Sequence, residues 1–240
     1  MWRSLFWKEW REQRWKAAFN TLLVTAFVAI GLRTRVISDL GVLVLAWEIA
    51  AIILPLFMSM GLVAAERAQG SLHFLLALPT RPWQTLTVKM AVGIGVVVLP
   101  FLGGVAVAAI IAGGRESTMG EIVAVALVAA WIGIQALIWF VTFAIRQPDE
   151  ARAGIVAGLV FCGWCALGAG IAYFSYPGPV TLAWRMAGAI VPFEIILCLN
   201  GDKYMPLLHL ILVPCIQILV SAGLCYWGLV RFSHERGGNQ

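Results

Sequence analysis

Residues that could catalyse a reaction or bind a metal are few in this sequence, and they do not form a recognisable set. The three histidines, His73, His209 and His234, stand far apart, and no H-E-x-x-H, G-x-S-x-G or G-x-x-x-x-G-K-[ST] pattern occurs. A zinc site needs clustered ligands, and a phosphate cradle needs the glycine-rich loop with its lysine. We therefore expect no catalytic residue, no metal site and no cofactor bound by this chain.

Glu48 is the one carboxylate that lies clearly within a long apolar stretch. A charge at the centre of a bilayer costs about 2.5 to 3.5 kcal/mol on insertion scales, so such a residue usually faces a cavity or a partner. Glu48 also adjoins Trp47 and follows Gly41 by about 10 Å of helix, which lets it reach the outer headgroups. Two interpretations stay open: a residue of a transport pathway, and a structural hydrogen bond or interface position.

The most patterned polar stretch covers residues 64–92, between two long apolar runs. A charged pair ends the first run, a glycine follows, and leucines at helical spacing form one apolar stripe before two prolines stop the helix. This pattern predicts a short helix over 66–79 at the cytoplasmic membrane face, suited to contact with another protein. An ordinary amphipathic connector is the alternative. The candidate contact residues are Glu66, Arg67, Gly70, Ser71, Leu72, Leu75, Leu76, Pro79, Arg81 and Lys89, the last two expected beside anionic headgroups.

The composition requires that these residues be held by membrane-spanning helices. Hydrophobic residues make up 61% of the 240 residues and charged residues only 12%, a balance that soluble domains of this size do not have. The net charge of +5 does not indicate nucleic-acid binding, because each basic cluster adjoins an apolar run and is explained by membrane topology. The chain is predicted to be an all-α integral membrane protein with the lipid membrane as its surroundings.

Hydropathy divides the chain into six predicted spans within a single transmembrane domain over 1–240. At about 1.5 Å of rise per residue each can cross a hydrocarbon core of about 30 Å, the first only marginally. The spans are predicted over 17–32, 41–65, 85–112, 122–145, 153–174 and 206–230.

Residues 1–16 are predicted to form an amphipathic elbow helix that lies flat in the headgroups and bends into the first span. Trp2, Phe6 and Trp10 fall on one arc of this helix, whereas Arg11 and Arg14 fall mainly on the opposite one. Glu9 interrupts the apolar edge. A merely basic N-terminus before a signal anchor is the alternative.

Residues 175–205 have an irregular pattern of prolines, charges and short apolar pieces, which favours an external re-entrant helical pair over a seventh span. With six spans, twelve basic residues fall on the side of the N-terminus and five on the other side. Because basic residues accumulate in cytoplasmic loops, both termini are predicted to be cytoplasmic. The twelve are Arg3, Lys8, Arg11, Arg14, Lys16, Arg67, Arg81, Lys89, Arg146, Arg152, Arg231 and Arg236.

The stretch from Glu66-Arg67 through Gly70-Ser71-Leu72 and Pro79 to Arg81 and Lys89 resembles the signature of the membrane permeases of type 2 ATP-binding-cassette (ABC) exporters. The basic N-terminal segment, the six spans and the irregular external piece extend the resemblance over the whole chain. His73 departs from it, because such permeases often have an acidic residue there.

The resemblance implies that 66–79 is a coupling helix contacting a separate ATPase subunit, which would bind ATP and Mg²⁺. It also implies a translocation pathway formed with a second permease copy or a homologous permease, in a bacterial inner (plasma) membrane. Two alternatives remain: a membrane scaffold or assembly factor, and an ATP-independent transporter or channel. The second would show several polar residues within spans, where Glu48 stands nearly alone.

Overall fold

The computed structural model of the protein describes residues 2–34, 38–64, 82–112, 119–145, 147–173, 189–190 and 207–237. The predicted coupling helix over 66–79 lies outside the described residues, and so does the external piece over 175–205 except for a turn at Ala189 and Ile190. The question of a re-entrant pair or a seventh span is therefore left to the sequence.

The described ranges contain six long helices and no strand. Helix α2 ends in a π-helical turn, Met60–Ala64, which leads directly to residue 65. The helices are α1 (Trp2–Thr34), α2 (Asp39–Ser59), α3 (Pro82–Ala112), α4 (Met119–Ala144), α5 (Glu150–Tyr173) and α6 (Leu207–Gly237).

All six helices are long and apolar enough to cross a membrane, which confirms the prediction of an all-helical protein with six spanning segments. The backbone polar groups of such helices are bonded within each segment, as a bilayer core without water requires. The chain is thus a multi-pass membrane protein. Internal prolines occur in α2, α3 and α6, at Pro55, Pro100 and Pro214.

Helix α1 is one uninterrupted helix of 33 residues, so the chain continues helically from residues 2–16 into the first span, as the sequence predicted. The expected bend near Ala17 does not break it. Glu9, Gln13 and Ala17 are buried at intervals of four residues, so one continuous stripe runs along its length. At about 1.5 Å per residue the helix is roughly 50 Å long, more than a hydrocarbon core of about 30 Å. Part of α1 therefore extends beyond the hydrocarbon core. The flat orientation of residues 1–16 in the headgroups stays a prediction.

The first four helices share one apolar core, in which α3 packs mainly on α1 and α4, and α2 packs mainly on α4. Adjacent glycines of α3 admit a neighbour on each side. A Cβ on Gly103 would lie 2.9 Å from the Thr21 methyl group of α1, and one on Gly104 would lie 2.6 Å from the Trp47 Nε1 of α2. Cβ atoms essentially never come that close, so glycine is required for this packing.

Helices α5 and α6 attach to α4 through narrower contacts. Ala157 and Trp164 of α5 pack on Ala136 and Phe140 of α4, with the Trp164 and Phe140 rings stacked at 5.2 Å between centroids. Along α6 the described buried residues recur at intervals of one or two turns, at Val213, Gln217, Ser221 and Gly228. These two helices therefore form the less tightly packed side of the protein.

Candidate functional site

The borders of segment 65–81, which contains the predicted coupling helix, are described although the segment is not. Nine of the ten predicted coupling residues, Glu66, Arg67, Gly70, Ser71, Leu72, Leu75, Leu76, Pro79 and Arg81, lie outside the described residues. Lys89 is the tenth, on the second turn of α3. The structure thus shows which residues contact the helices on either side of segment 65–81.

Lys89 forms a buried ion pair with Glu9 of α1. Its Nζ lies 3.0 Å from both Glu9 carboxylate oxygens, and the two side chains are 2% and 3% exposed. We expected Lys89 to lie beside headgroups, but the side chain turns inward instead. The physical reason is Glu9, because a buried cation is stable only when paired with an anion and hydrogen-bonded. Whether Lys89 also couples to a partner stays a prediction.

Charged and polar groups of α1 continue around this pair. Lys8 Nζ lies 3.4 Å from Glu9 Oε1 and 3.4 Å from Glu12 Oε1. One turn beyond Glu9, Gln13 is buried, and its Oε1 accepts no hydrogen bond from any described residue. The turn of α1 from Lys8 to Gln13 therefore places an ion-pair network against α3, where the sequence alone suggested an imperfect apolar edge.

Helix α1 also contacts residues directly beside each end of segment 65–81. Before the segment, a Cβ on Gly61 in the π-helical turn would lie 3.0 Å from Lys16 Nζ. This places an ammonium group near the C-terminal end of α2, where the helix dipole favours a cation. After the segment, the Trp83 ring of α3 lies 5.4 Å from the Trp2 ring, centroid to centroid. One helix thus contacts both borders.

The predicted elbow residues divide between an exposed and a packed face of α1. Trp2, Phe6, Arg11 and Arg14 are exposed, whereas Trp10 is half-buried against the core of the first four helices. Two further tryptophans are exposed, Trp7 and Trp15, and the Arg14 guanidinium lies 5.6 Å from the Trp15 ring. Arginine and tryptophan side chains of this kind suit a headgroup region.

Glu48 is half-buried on the flank of α2 and has no hydrogen-bond or ion-pair partner among the residues that the structure describes. The neighbouring exposed positions Leu45 and Ile49 place this flank at the apolar surface of the single chain. The geometry therefore does not pair Glu48 with another described polar group. Both interpretations of this residue remain open.

Helices α4 and α6 are joined at mid-span by a polar contact that sequence reasoning missed. The Trp131 Nε1 donates to Gln217 Oε1 at 2.6 Å, and the Ser221 hydroxyl donates to Gln135 Oε1. Trp131 and Gln135 are one turn apart on α4, as are Gln217 and Ser221 on α6. The two hydrogen bonds therefore lie one turn apart along the contact. Two glutamines within predicted spans were the available signal. Attention to charges alone overlooked them.

A small cavity of about 160 Å³ lies between α3, α4 and α6, next to Thr142 and Cys225. It is below the range of roughly 300 to 1,000 Å³ typical of small-molecule sites, so it is too small for a nucleotide. Within the described ranges no three His, Cys, Asp or Glu side chains come together as a metal site would need.

The candidate site thus comprises the two borders of segment 65–81 and helix α1, which contacts both of them. The hydrogen-bonded contact between α4 and α6 at mid-span is separate from it. In comparisons with known proteins, no protein-family model matches the chain and no curated protein matches it.

Proposed function

We propose that this chain is the membrane-spanning permease subunit of an ABC exporter, driven by a separate ATPase subunit that presses on segment 65–81. The observation that supports this most is the arrangement at the borders of the segment. Helices α2 and α3 flank it, and α1 contacts both flanks through Lys16, Glu9 and Trp2. A protein that displaced the segment would act on three helices at once.

The segment between these borders carries the residue pattern of a coupling helix, with Glu66, Gly70 and Pro79 in the expected order. The chain has no phosphate-binding loop, so ATP and Mg²⁺ belong on the partner. The distribution of basic residues supports a cytoplasmic position for both termini and for this segment. The family resemblance implies a bacterial inner membrane. In the cytoplasm an ATPase can reach the segment.

A second permease subunit would complete the translocation pathway, and α5 has a face that suits it. On one face of α5, a Cβ on Gly158 would meet nothing within 4 Å among the described residues, and Cys162 and Cys165, one and two turns further along, are exposed. Small residues at such spacing let two membrane helices approach closely. The glycine-rich sequence of α5 predicts a packed helix, and a second copy would provide a packing partner for this face.

An ATP-independent transporter is the second candidate, and one observation favours it. The contact between α4 and α6 puts Gln135, Gln217 and Ser221 at mid-span, so Glu48 is not the only polar residue within the spans. These groups, however, bond to one another, which is what helix association in a bilayer uses. A permease role with a structural polar contact accounts for both regions.

The proposal is tested by coexpressing the chain with the ATPase encoded beside it and purifying the complex. The expected result is an ATP-hydrolysing complex with the unaltered chain and loss of copurification for Gly70→Trp. Gly223→Trp is the matched control, because a Cβ on Gly223 of α6 meets no described residue within 4 Å. Copurification that survives Gly70→Trp, or solute movement by the chain without any ATPase, would refute the proposal.

The side of the membrane that carries segment 65–81 is tested separately. A cysteine at His73, in a background with the five native cysteines replaced, should react with a membrane-impermeant maleimide only after the cytoplasmic side is opened. Labelling of intact cells would place the segment outside, where no ATPase could act. A scaffold role would then be the better interpretation.

A further inference from the structure

A groove runs along α1 where that helix meets α3. Its volume is about 450 Å³, and the described residues leave it open to the surroundings. Trp10 and Arg14 of α1 line one end and Thr25 lines the other, while Leu99 of α3 forms part of the opposite wall. Because the chain is a multi-pass membrane protein, those surroundings include lipid.

The half of the groove nearer the middle of α1 has an apolar surface, although two threonines line it. The Thr21 and Thr25 hydroxyls donate to the carbonyls of Ala17 and Thr21, both at 2.7 Å, so their hydrogens are used within the helix. The small side chains of Ala17 and Ala18 leave space between them, and Leu22 is 67% exposed. An acyl chain suits this surface, because it gains from apolar contact and needs no hydrogen bonds.

The other end of the groove is positively charged. Arg14 lines it, and Arg11 lies three positions earlier on the same side of α1. Both side chains are exposed, and neither pairs with a carboxylate of a described residue. The Arg14 guanidinium lies 5.6 Å from the Trp15 ring, and stacking of this kind leaves the N–H groups at its edge available. Guanidinium groups bind phosphate through paired hydrogen bonds, so this end suits a phosphate.

The distance between the two ends matches one leaflet of a bilayer. Thr25 lies eleven positions after Arg14, or about 17 Å along the helix, close to half of a hydrocarbon core of about 30 Å. The apolar run of α1 begins at Ala17, directly beyond Arg14. At the far end α3 closes on α1, since a Cβ on Gly103 would lie 2.9 Å from the Thr21 methyl group. The charged end thus lies at headgroup depth and the apolar part among acyl chains.

From this arrangement we infer that the groove between α1 and α3 binds an anionic phospholipid of the leaflet on the side of the N-terminus. The lipid phosphate binds to the Arg11 and Arg14 guanidinium groups, and one acyl chain lies along Ala18 and Leu22 towards Thr25. A zwitterionic lipid brings its own cation to the same arginines, so the site selects lipids with a net negative charge. Such a site does not depend on the proposed transport role.

The preference for charge is measured by native mass spectrometry of the full chain in detergent, titrated with phosphatidylglycerol or phosphatidylcholine. The unaltered chain should bind phosphatidylglycerol at least about fivefold more tightly, the factor that one basic side chain near an anionic headgroup contributes. Arg14→Gln should lose this preference, and Arg14→Lys should retain part of it. Arg152→Gln is the matched control, since Arg152 is an exposed arginine of α5 outside the groove.

Filling the groove tests the position of the acyl chain. Ala18→Phe places a ring where the chain lies and should weaken phosphatidylglycerol binding by about tenfold, because several CH₂ groups lose their burial. Ala26→Phe should leave binding unchanged, since Ala26 is exposed on the same helix but does not line the groove. Soluble glycerol phosphate, which has the charge without the chains, should not displace the lipid.

Four outcomes would overturn this assignment. Equal binding of the two lipids by the unaltered chain, or equal effects of Arg14→Gln and Arg152→Gln, would remove the selection for charge. Ala18→Phe binding lipid as tightly as Ala26→Phe would place the chain elsewhere. Saturable binding of glycerol phosphate alone would indicate a free-anion site. Dimers without bound lipid that Ala18→Phe dissociates would assign the groove to a second copy. If either Arg14→Gln or Ala18→Phe fails to fold, the other decides.

Discussion

Helices α1 and α3 are joined by opposite charges, whereas α4 and α6 are joined by neutral hydrogen bonds. The charged contact lies on the second turns of α1 and α3, at the ends where those helices begin. The neutral contact lies at the middle of α4 and within the span of α6. A charge is costliest at the bilayer centre, while amide, indole and hydroxyl groups associate helices there at lower cost. The two contacts agree with this rule, because the charged pair lies near helix ends and the neutral hydrogen bonds lie near the middle of their helices.

The largest effect is expected from breaking the charged contact on one side. Lys89→Met leaves the Glu9 carboxylate buried without its main partner, and we expect a loss of about 3 to 5 kcal/mol of stability. Thermal unfolding of the purified protein in one fixed detergent measures it. The double variant Glu9→Leu with Lys89→Met should recover most of the loss, and a double variant as unstable as the single one would contradict this account.

Packing beside α3 should give the next largest effect. Gly104→Ala places a Cβ 2.6 Å from the ring of Trp47, which is fully buried. Overpacking of this kind costs typically about 1 to 3 kcal/mol. Gly223→Ala on α6 is the control, since its Cβ meets no other part of the described structure within 4 Å and surface changes stay within about 0.5 kcal/mol. Equal unfolding temperatures for the two variants would show that the two sides pack alike.

The neutral contact should be weaker than the charged one. Gln217→Leu leaves the Trp131 N–H without its acceptor, and hydrogen bonds between membrane helices contribute about 0.6 to 2 kcal/mol. A double-mutant cycle with Trp131→Phe measures the pair itself through unfolding in detergent. A coupling energy near zero would assign the stability of α6 to other contacts, whereas one above that of Glu9 and Lys89 would reverse the comparison.

The smallest effect is expected at Gln13, next to the charged contact. Its buried Oε1 has no donor among the described residues, so Gln13→Met removes an uncompensated polar group of similar shape. Stability should stay the same or rise by up to about 1 kcal/mol. A clear loss in the same unfolding assay would reveal that Gln13 has a donor in the folded protein, such as a buried water.

The six spans were predictable because each is a continuous apolar run long enough to cross a bilayer, and such runs have no other stable placement. The continuation of the helix from residues 1–16 into the first span was also predictable, because the first apolar run alone is only marginally long enough to cross a bilayer. Lys89 was predicted to face headgroups from its position in the chain, and no local pattern pointed to a partner 80 residues away.

The sequence by itself determined that this is a helical multi-pass membrane protein and that residues 64–92 contain its most distinctive polar pattern. Those features depend on local composition and spacing, which can be read directly from the sequence. The tertiary structure alone decided that Glu9 meets Lys89, that Trp131 and Gln135 meet Gln217 and Ser221, and that Gly104 admits Trp47. These pairs depend on how helices distant in sequence pack, because a polar or glycine residue becomes meaningful only through the side chain opposite it.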